Sequence, residues 1–300
     1  MRRITIFILF LLVAVTWGTT WLAMKIALET IPPVFATGMR FLFSAPLLII
    51  IAWVKKIPIL FPVGQRLFQL AISMFYFAIP FSLMIYGEVY VNPGLAAIIF
   101  ANMPVAILIA SFLFLNEKTN SIQITGLIIA LASLSFILIT EARERTESQW
   151  TGVVALSSAV IIHAIVYTQC KKRCCKVSVI SFNALPCFIA GVILSLVGSI
   201  FERPQLSALS LHSTLATMYL GCFAGVFGIL CYFSLQKRAS AFQASLVFLI
   251  FPLIAVSLES YIYGKTISTY SILLIIPLVI GILITLIPKK TVVDKNKMNS

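Results

Sequence analysis

His163 has the widest chemistry in this sequence: an imidazole can donate, accept or carry a proton, and this one stands inside the apolar run 152–170. At such depth the group is costly unless it meets water, a solute or a neighbouring helix backbone. A binding role and a plain backbone bond are both open to it. Asn102, two residues before Pro104, is a second polar group at depth. Proline removes a rung of the helical ladder and frees a carbonyl, and Pro252 repeats the feature, so both prolines are candidate hinges as well as packing kinks. Thr16, Thr19, Thr20 and Ala23 fall at i, i+3, i+4 and i+7, a small and weakly polar stripe beside a second one made by Gly18, Trp21 and Lys25. Those hydroxyls suit either a tight helix interface, bonded to their own helix carbonyls, or the wall of a wet cavity. Trp17, Tyr86, Tyr167 and Tyr232 join an apolar ring to a polar atom, which fits a cavity wall for a small organic solute or an interfacial belt.

The charged residues divide in the same way. Lys25 and Glu29 can pair along one helix turn, whereas Arg40 and Glu88 stand too deep in their apolar runs to be ordinary loop charges. With Glu259 they form a candidate charge cluster that closes one side of a cavity, and proton exchange is a role open to them; snorkelling to the interface is the plainer account. Gly221, Gly225 and Gly228 recur at i, i+4 and i+7, a smooth face for a neighbouring helix or for a second copy of the chain. Oligomeric state is therefore left open.

Enzymatic chemistry finds no foothold. The chain has no HExxH, GxSxG, P-loop or dinucleotide fingerprint, and its two histidines, His163 and His212, are far apart in sequence. No cofactor or metal is expected. Of the six cysteines, Cys170, Cys174 and Cys175 have a spacing that matches no common zinc pattern, and Cys187, Cys222 and Cys231 lie in apolar runs as packing residues.

The elements that must position these groups follow from composition. A chain of 300 residues that is 61% hydrophobic and 10% charged, with a mean hydropathy of +1.07, is an integral membrane protein. Ten apolar runs are long enough for helices that cross about 30 Å of hydrocarbon: 4–27, 33–54, 66–87, 94–115, 121–140, 152–170, 177–200, 211–235, 240–262 and 268–287. The opening Arg2-Arg3 and its apolar stretch are read as a retained first span, since no small-residue cleavage site follows. The net charge of +13 is concentrated in alternate loops, with KKRCCK at 171–176 as its densest cluster. That asymmetry places both termini in the cytoplasm, and the clusters read as orientation signals or contacts with anionic lipid, not as a nucleic-acid site.

The chain also repeats itself. A shift of 146 residues lays Trp17 on His163, Gly18 on Ala164, Trp21 on Tyr167, Lys25 on Lys171 and Tyr86 on Tyr232; Pro104 meets Pro252 at 148. Two halves of five spans, 1–145 and 146–300, must enter a bilayer in opposite orientations because five is odd. Inverted repeats of this kind are a recurrent plan of secondary transporters, with the solute site near the pseudo-two-fold axis.

Three stretches resemble a known family. WGTTWLAMKIALETIPPVFATGMRFLFSAPLL is similar to the first two spans of the EamA group of the drug/metabolite transporter superfamily, YGEVYVNPGLAAII to its third-to-fourth span junction, and LNEKTNSIQITGL to its end of span four. The PecM- and PagO-like bacterial permeases are the nearest group. The resemblance implies an all-α polytopic fold of ten helices in two inverted repeats, and a central cavity for small metabolites such as amino acids or xenobiotics. It assigns Trp17, Gly18, Lys25, Arg40, Glu88 and Glu117 to family positions. His163, Glu259 and Lys265 depart from the family pattern.

The expectation is therefore a transporter of a bacterial inner membrane that moves a small organic solute outward by alternating access, with helices one, three, four, six, eight and nine around the cavity. A membrane scaffold or an embedded enzyme of unfamiliar type is the alternative.

Overall fold

A backbone in hydrocarbon must satisfy its own hydrogen bonds, and a continuous helix does so within one segment. In the computed structural model the described residues are 2–91, 96, 99–117, 119–141, 150–173, 177–263 and 268–285, without the side chains of 2, 138, 141, 206, 241, 242, 259 and 263. They are helical, with short turns and no strand. Seven helices are long and apolar enough to cross a membrane: α1 (Arg3–Ala27), α2 (Pro33–Val54), α3 (Val63–Tyr90), α6 (Trp150–Arg173), α7 (Val179–Phe201), α8 (Leu211–Arg238) and α9 (Gln243–Ile262). Three shorter apolar helices of 10–17 residues, α4 (Ile99–Leu115), α5 (Ser121–Ile137) and α10 (Thr269–Thr285), occupy the other stretches expected as spans. A helix of that upper length rises about 26 Å, a little under the hydrocarbon thickness.

Packing follows small residues. α2 lies along α7, where Gly38, Gly191 and Gly198 touch the facing backbone: a Cβ on Gly198 would stand 2.7 Å from the Phe35 nitrogen. α5 lies along α10 through Gly126 and Gly281, each of which faces the other's carbonyl at 2.7 Å from where its Cβ would be. α3 packs on α6 through Gly87 and Gly152, and α6 also meets α4. α1 in turn packs on α8 and α9, and α2 and α7 touch α8 and α3 respectively.

Three local irregularities matter for the site. α3 contains a π-helical segment at Ser73–Ala78 and α8 another at Leu220–Gly228. α4 is interrupted at Asn102, with Pro104 in the first turn of the segment Met103–Leu115, where its missing N–H costs nothing. Helix ends are held by polar groups. α2 begins on Pro32-Pro33 without a side-chain cap of its own, and the carboxylate of Glu202 beyond α7 accepts from the Val34 and Phe35 amides at 2.9 and 2.8 Å. At the opposite end Lys171 donates to the carbonyls of Gln236 and Ala239, and Lys237 to that of Val177 at 2.5 Å, tying α6 and the start of α7 to the C-terminus of α8.

Candidate functional site

A π-helical turn takes in an extra residue and re-aims the side chains around it, and such turns recur at functional sites. The one in α3 carries Tyr76, 1% exposed, to the centre of the bundle. Its ring meets those of His163 at 5.7 Å, Tyr167 at 5.4 Å, Phe233 at 5.5 Å and Phe182 at 5.8 Å. His163 stacks on Tyr167, with centroids 5.6 Å apart and planes at 12°, and stands edge-on to Phe81 at 5.2 Å. Tyr167 continues to Tyr232 at 5.0 Å, Tyr232 to Trp17 at 4.8 Å, and Trp17 to Phe248 at 5.4 Å. Side chains of α1, α3, α6, α7, α8 and α9 thus form one aromatic layer. Such offset and edge-on pairs add about 0.5–1.5 kcal/mol each to the burial of the rings.

The layer is not saturated. His163 is 3% exposed and Tyr232 wholly buried, yet neither imidazole nitrogen nor the Tyr232 hydroxyl has a hydrogen-bond partner; the Tyr76 backbone approaches the imidazole without hydrogen-bond geometry. A buried polar atom left unpaired costs about 1–3 kcal/mol. Groups of this kind call for water or a ligand. Their hydrogen-bonding capacity is one donor and one acceptor on neutral His163 and a hydroxyl that does either on Tyr232.

Towards the end of the bundle where α2 begins and α3 ends lies a charged extension of the layer. Arg40 is 7% exposed, and its guanidinium carbon sits 5.1 Å from the centre of the Phe81 ring, the ring that also touches His163. Its Nε has no partner. Glu88, two turns beyond Phe81 on α3, lies within electrostatic reach of Arg40, and its Oε1 is sealed and unpartnered. Among the described residues the two make no direct ion pair. Towards the opposite end, a cavity of about 310 Å³ is lined by Lys171, Lys237, Gln236, Phe182 and Phe233. Both phenylalanines pack on Tyr76, so the aromatic layer forms its inner wall.

The residues singled out from sequence are divided by the fold. Trp17, His163, Tyr167 and Tyr232 meet in the layer. The threonine hydroxyls turn back on α1: Thr16 donates to Leu12, Thr19 to Thr16 and Thr20 to Trp17, at 2.6–2.7 Å, and Thr19 also bonds the Tyr219 hydroxyl at 2.6 Å. Tyr86 stands apart, 39% exposed and bonded to Tyr90. Asn102 is exposed at the break in α4, and Pro104 and Pro252 are buried in α4 and α9. Gly18 packs on Ile254, Gly221 on the Arg40 carbonyl, Gly225 on Ser44 and Gly228 on Trp17 and Thr16, so the glycine face of α8 is covered by α1 and α2 of the same chain. Lys25 and Glu29 are exposed at the end of α1. The Glu259 side chain, Lys265 and Cys174 to Lys176 lie outside the described residues. Sequence reasoning missed Tyr76, Phe81 and Phe248; the aromatic run FYF at 75–77 was the one visible signal for the first of them.

An apolar helical bundle with seven helices long enough to cross a bilayer has the build of a polytopic membrane protein. The chain belongs to the EamA-like transporter family, which matches it twice, over residues 4–139 and 150–287. It is 72% identical over 289 residues to Protein PagO of Salmonella typhimurium, covering 96% of this chain and 95% of that protein. It is 56% identical to an uncharacterized transporter of Buchnera aphidicola subsp. Schizaphis graminum, with 96% of each chain covered. To the uncharacterized inner membrane transporter YedA of Escherichia coli K12 the identity is 27%, over 85% of this chain and 81% of the other. One solved crystal structure superposes with a TM-score of 0.77 over 93% of this chain and 95% of that one, at 16% identity, a likeness of fold.

Proposed function

We propose that this chain is a secondary transporter that exports a small organic metabolite, such as an amino acid or an amphipathic drug, across a bacterial inner membrane by alternating access. Ten helices cross, in two inverted halves divided near residue 145, and both termini are cytoplasmic.

The observation that carries this reading is the way the interfaces pair. Advancing every helix number by five, and wrapping after ten, turns α3 on α6 into α8 on α1, α4 on α6 into α9 on α1, and α3 on α7 into α8 on α2. It returns α2 on α7 and α5 on α10 to themselves. The π-helical segments obey the same rule, since Ser73 and Leu220 differ by 147 residues, within the sequence repeat of 146 to 148. The two family matches fall on the same halves. A bundle whose halves are interchangeable can exchange their conformations, and the aromatic layer between them then faces one compartment or the other. Hydrogen bonds cross-link both ends of the bundle here, Thr19 to Tyr219 and Ser213 to the Ile26 carbonyl at one, the Lys171 and Lys237 bonds at the other.

Purified protein in liposomes loaded with a labelled panel of amino acids and amphipathic drugs tests the proposal. Counterflow of at least one compound, lost in His163→Phe, is expected. Absence of flux across the panel would favour a membrane scaffold.

A further inference from the structure

Arg40 is the charge in this bundle whose role the transport reading leaves undefined. It is nine-tenths buried, its Nε is unpartnered, and among the described residues its guanidinium makes no hydrogen bond. What it has is the face of Phe81 and the field of Glu88. A cation–π contact offsets little of the cost of removing a guanidinium from water, and a buried guanidinium ordinarily holds a carboxylate or phosphate through paired N–H bonds. The arrangement is short of one anion. Two candidates can supply it: Glu88, after a rotamer change on α3, or an anionic group on a solute in the layer, since Phe81 bridges Arg40 to His163. If the solute's anion takes Arg40, Glu88 is left half-buried, with its Oε1 sealed and no counter-ion, and a proton from water on its carboxylate then removes the negative charge.

We infer that Arg40 is the binding site for the anionic group of the solute and that Glu88 competes with it, so that a carboxylate-bearing solute binds together with one proton on Glu88. This rests on the transport reading and extends it to the class of substrate and its coupling. Among the described residues, the groups near Glu88 and its partner come from four helices. α2 presents Arg40; Cys187 of α7 and Tyr76 of α3 lie near Arg40; His163 of α6 shares the Phe81 ring with Arg40, and Glu88→Gln separates its proton from that of Glu88; α6 also presents Gly152 and Leu156 beside Gly87, neither of which titrates. Proton uptake on solute binding is therefore assigned to Glu88.

Three probes with one aromatic body separate the charge requirement: 3-phenylpropionate, L-phenylalanine and phenethylamine. Binding to detergent-purified protein is read by calorimetry at pH 9 in two buffers of different ionisation enthalpy, which gives both affinity and protons taken up. At least one of the two carboxylate-bearing probes is expected to bind with uptake of about one proton, and the amine not at all. Arg40→Gln should weaken that binding by about tenfold or more, with Arg40→Lys in between. Glu88→Gln should bind without proton uptake. Binding of the amine alone, unchanged affinity in Arg40→Gln, proton uptake surviving in Glu88→Gln, or no binding of either carboxylate would each overturn the inference. Should Arg40→Gln not fold, Arg40→Lys and Glu88→Gln still decide. Flux in liposomes is measured separately: binding as described without flux sinks the transport reading and leaves the Arg40 site standing.

Discussion

At the scale of the residue, His163 is where a role in the fold and the proposed role towards a solute can be told apart. Its nitrogens bond nothing among the described residues, so the fold gains no hydrogen bond from the imidazole and bears its desolvation. Replacing an unsatisfied buried polar group by an apolar one of similar shape is neutral or stabilising. His163→Phe is therefore expected to keep or raise the unfolding free energy in detergent by up to about 1–2 kcal/mol while solute flux falls. A drop in stability would mean that the imidazole serves the fold. Tyr232 is the control on the same layer: Tyr232→Phe removes another unpartnered hydroxyl and should likewise leave unfolding unchanged within about 1 kcal/mol.

At the scale of the element, close approach and capping are testable one contact at a time. A Cβ on Gly18 would stand 2.6 Å from two carbons of Ile254, so Gly18→Ala forces α1 and α9 apart and should cost about 1–3 kcal/mol, read from detergent melts. Gly64 has open space around it, and Gly64→Ala is the matched substitution that should change little. Glu202 caps a helix it does not belong to. Because α2 starts on two prolines and has no cap of its own, Glu202→Ala strands the Val34 and Phe35 amides and should cost about 0.5–2 kcal/mol, while Glu202→Gln keeps one acceptor and loses less. Hydrogen exchange at the first turn of α2 should rise in step. A melt unmoved by Glu202→Ala would show that the cap contributes nothing.

At the scale of the whole molecule, the proposed exchange of five helices for five makes a claim about topology. Single cysteines placed at Arg3 and beyond α10 should label from the same, cytoplasmic side, and one placed beside Glu29 from the other. Labels at the two chain ends in opposite compartments would refute the inverted arrangement and the alternating-access cycle with it. The same symmetry makes a functional prediction: the π-helical segments of α3 and α8 occupy matching positions, so a substitution that disrupts either should slow flux by a similar factor.

What the sequence determined by itself was set by the bilayer as a solvent. Every span is a helix because a lone helix closes its own hydrogen bonds there, and helices stand where hydropathy put the ten apolar runs, three of them shorter in the described residues than a full crossing. The repeat of 146 to 148 residues lays Trp17 on His163, and in the fold the two rings belong to one aromatic layer, joined through Tyr232 and Tyr167. The facing of each helix was not legible, because lipid and protein interior are both apolar and the usual polar-against-apolar stripe that orients a helix is missing. Only tertiary packing could decide that Tyr76 and Phe248 face the centre while Tyr86 does not, that the threonines of α1 spend their hydroxyls on their own helix, and that Arg40 comes to rest on Phe81. Those outcomes depend on where the glycines let two backbones touch and where the π-helical turns rotate a helix face, and both are properties of pairs of helices that no single stretch of sequence contains.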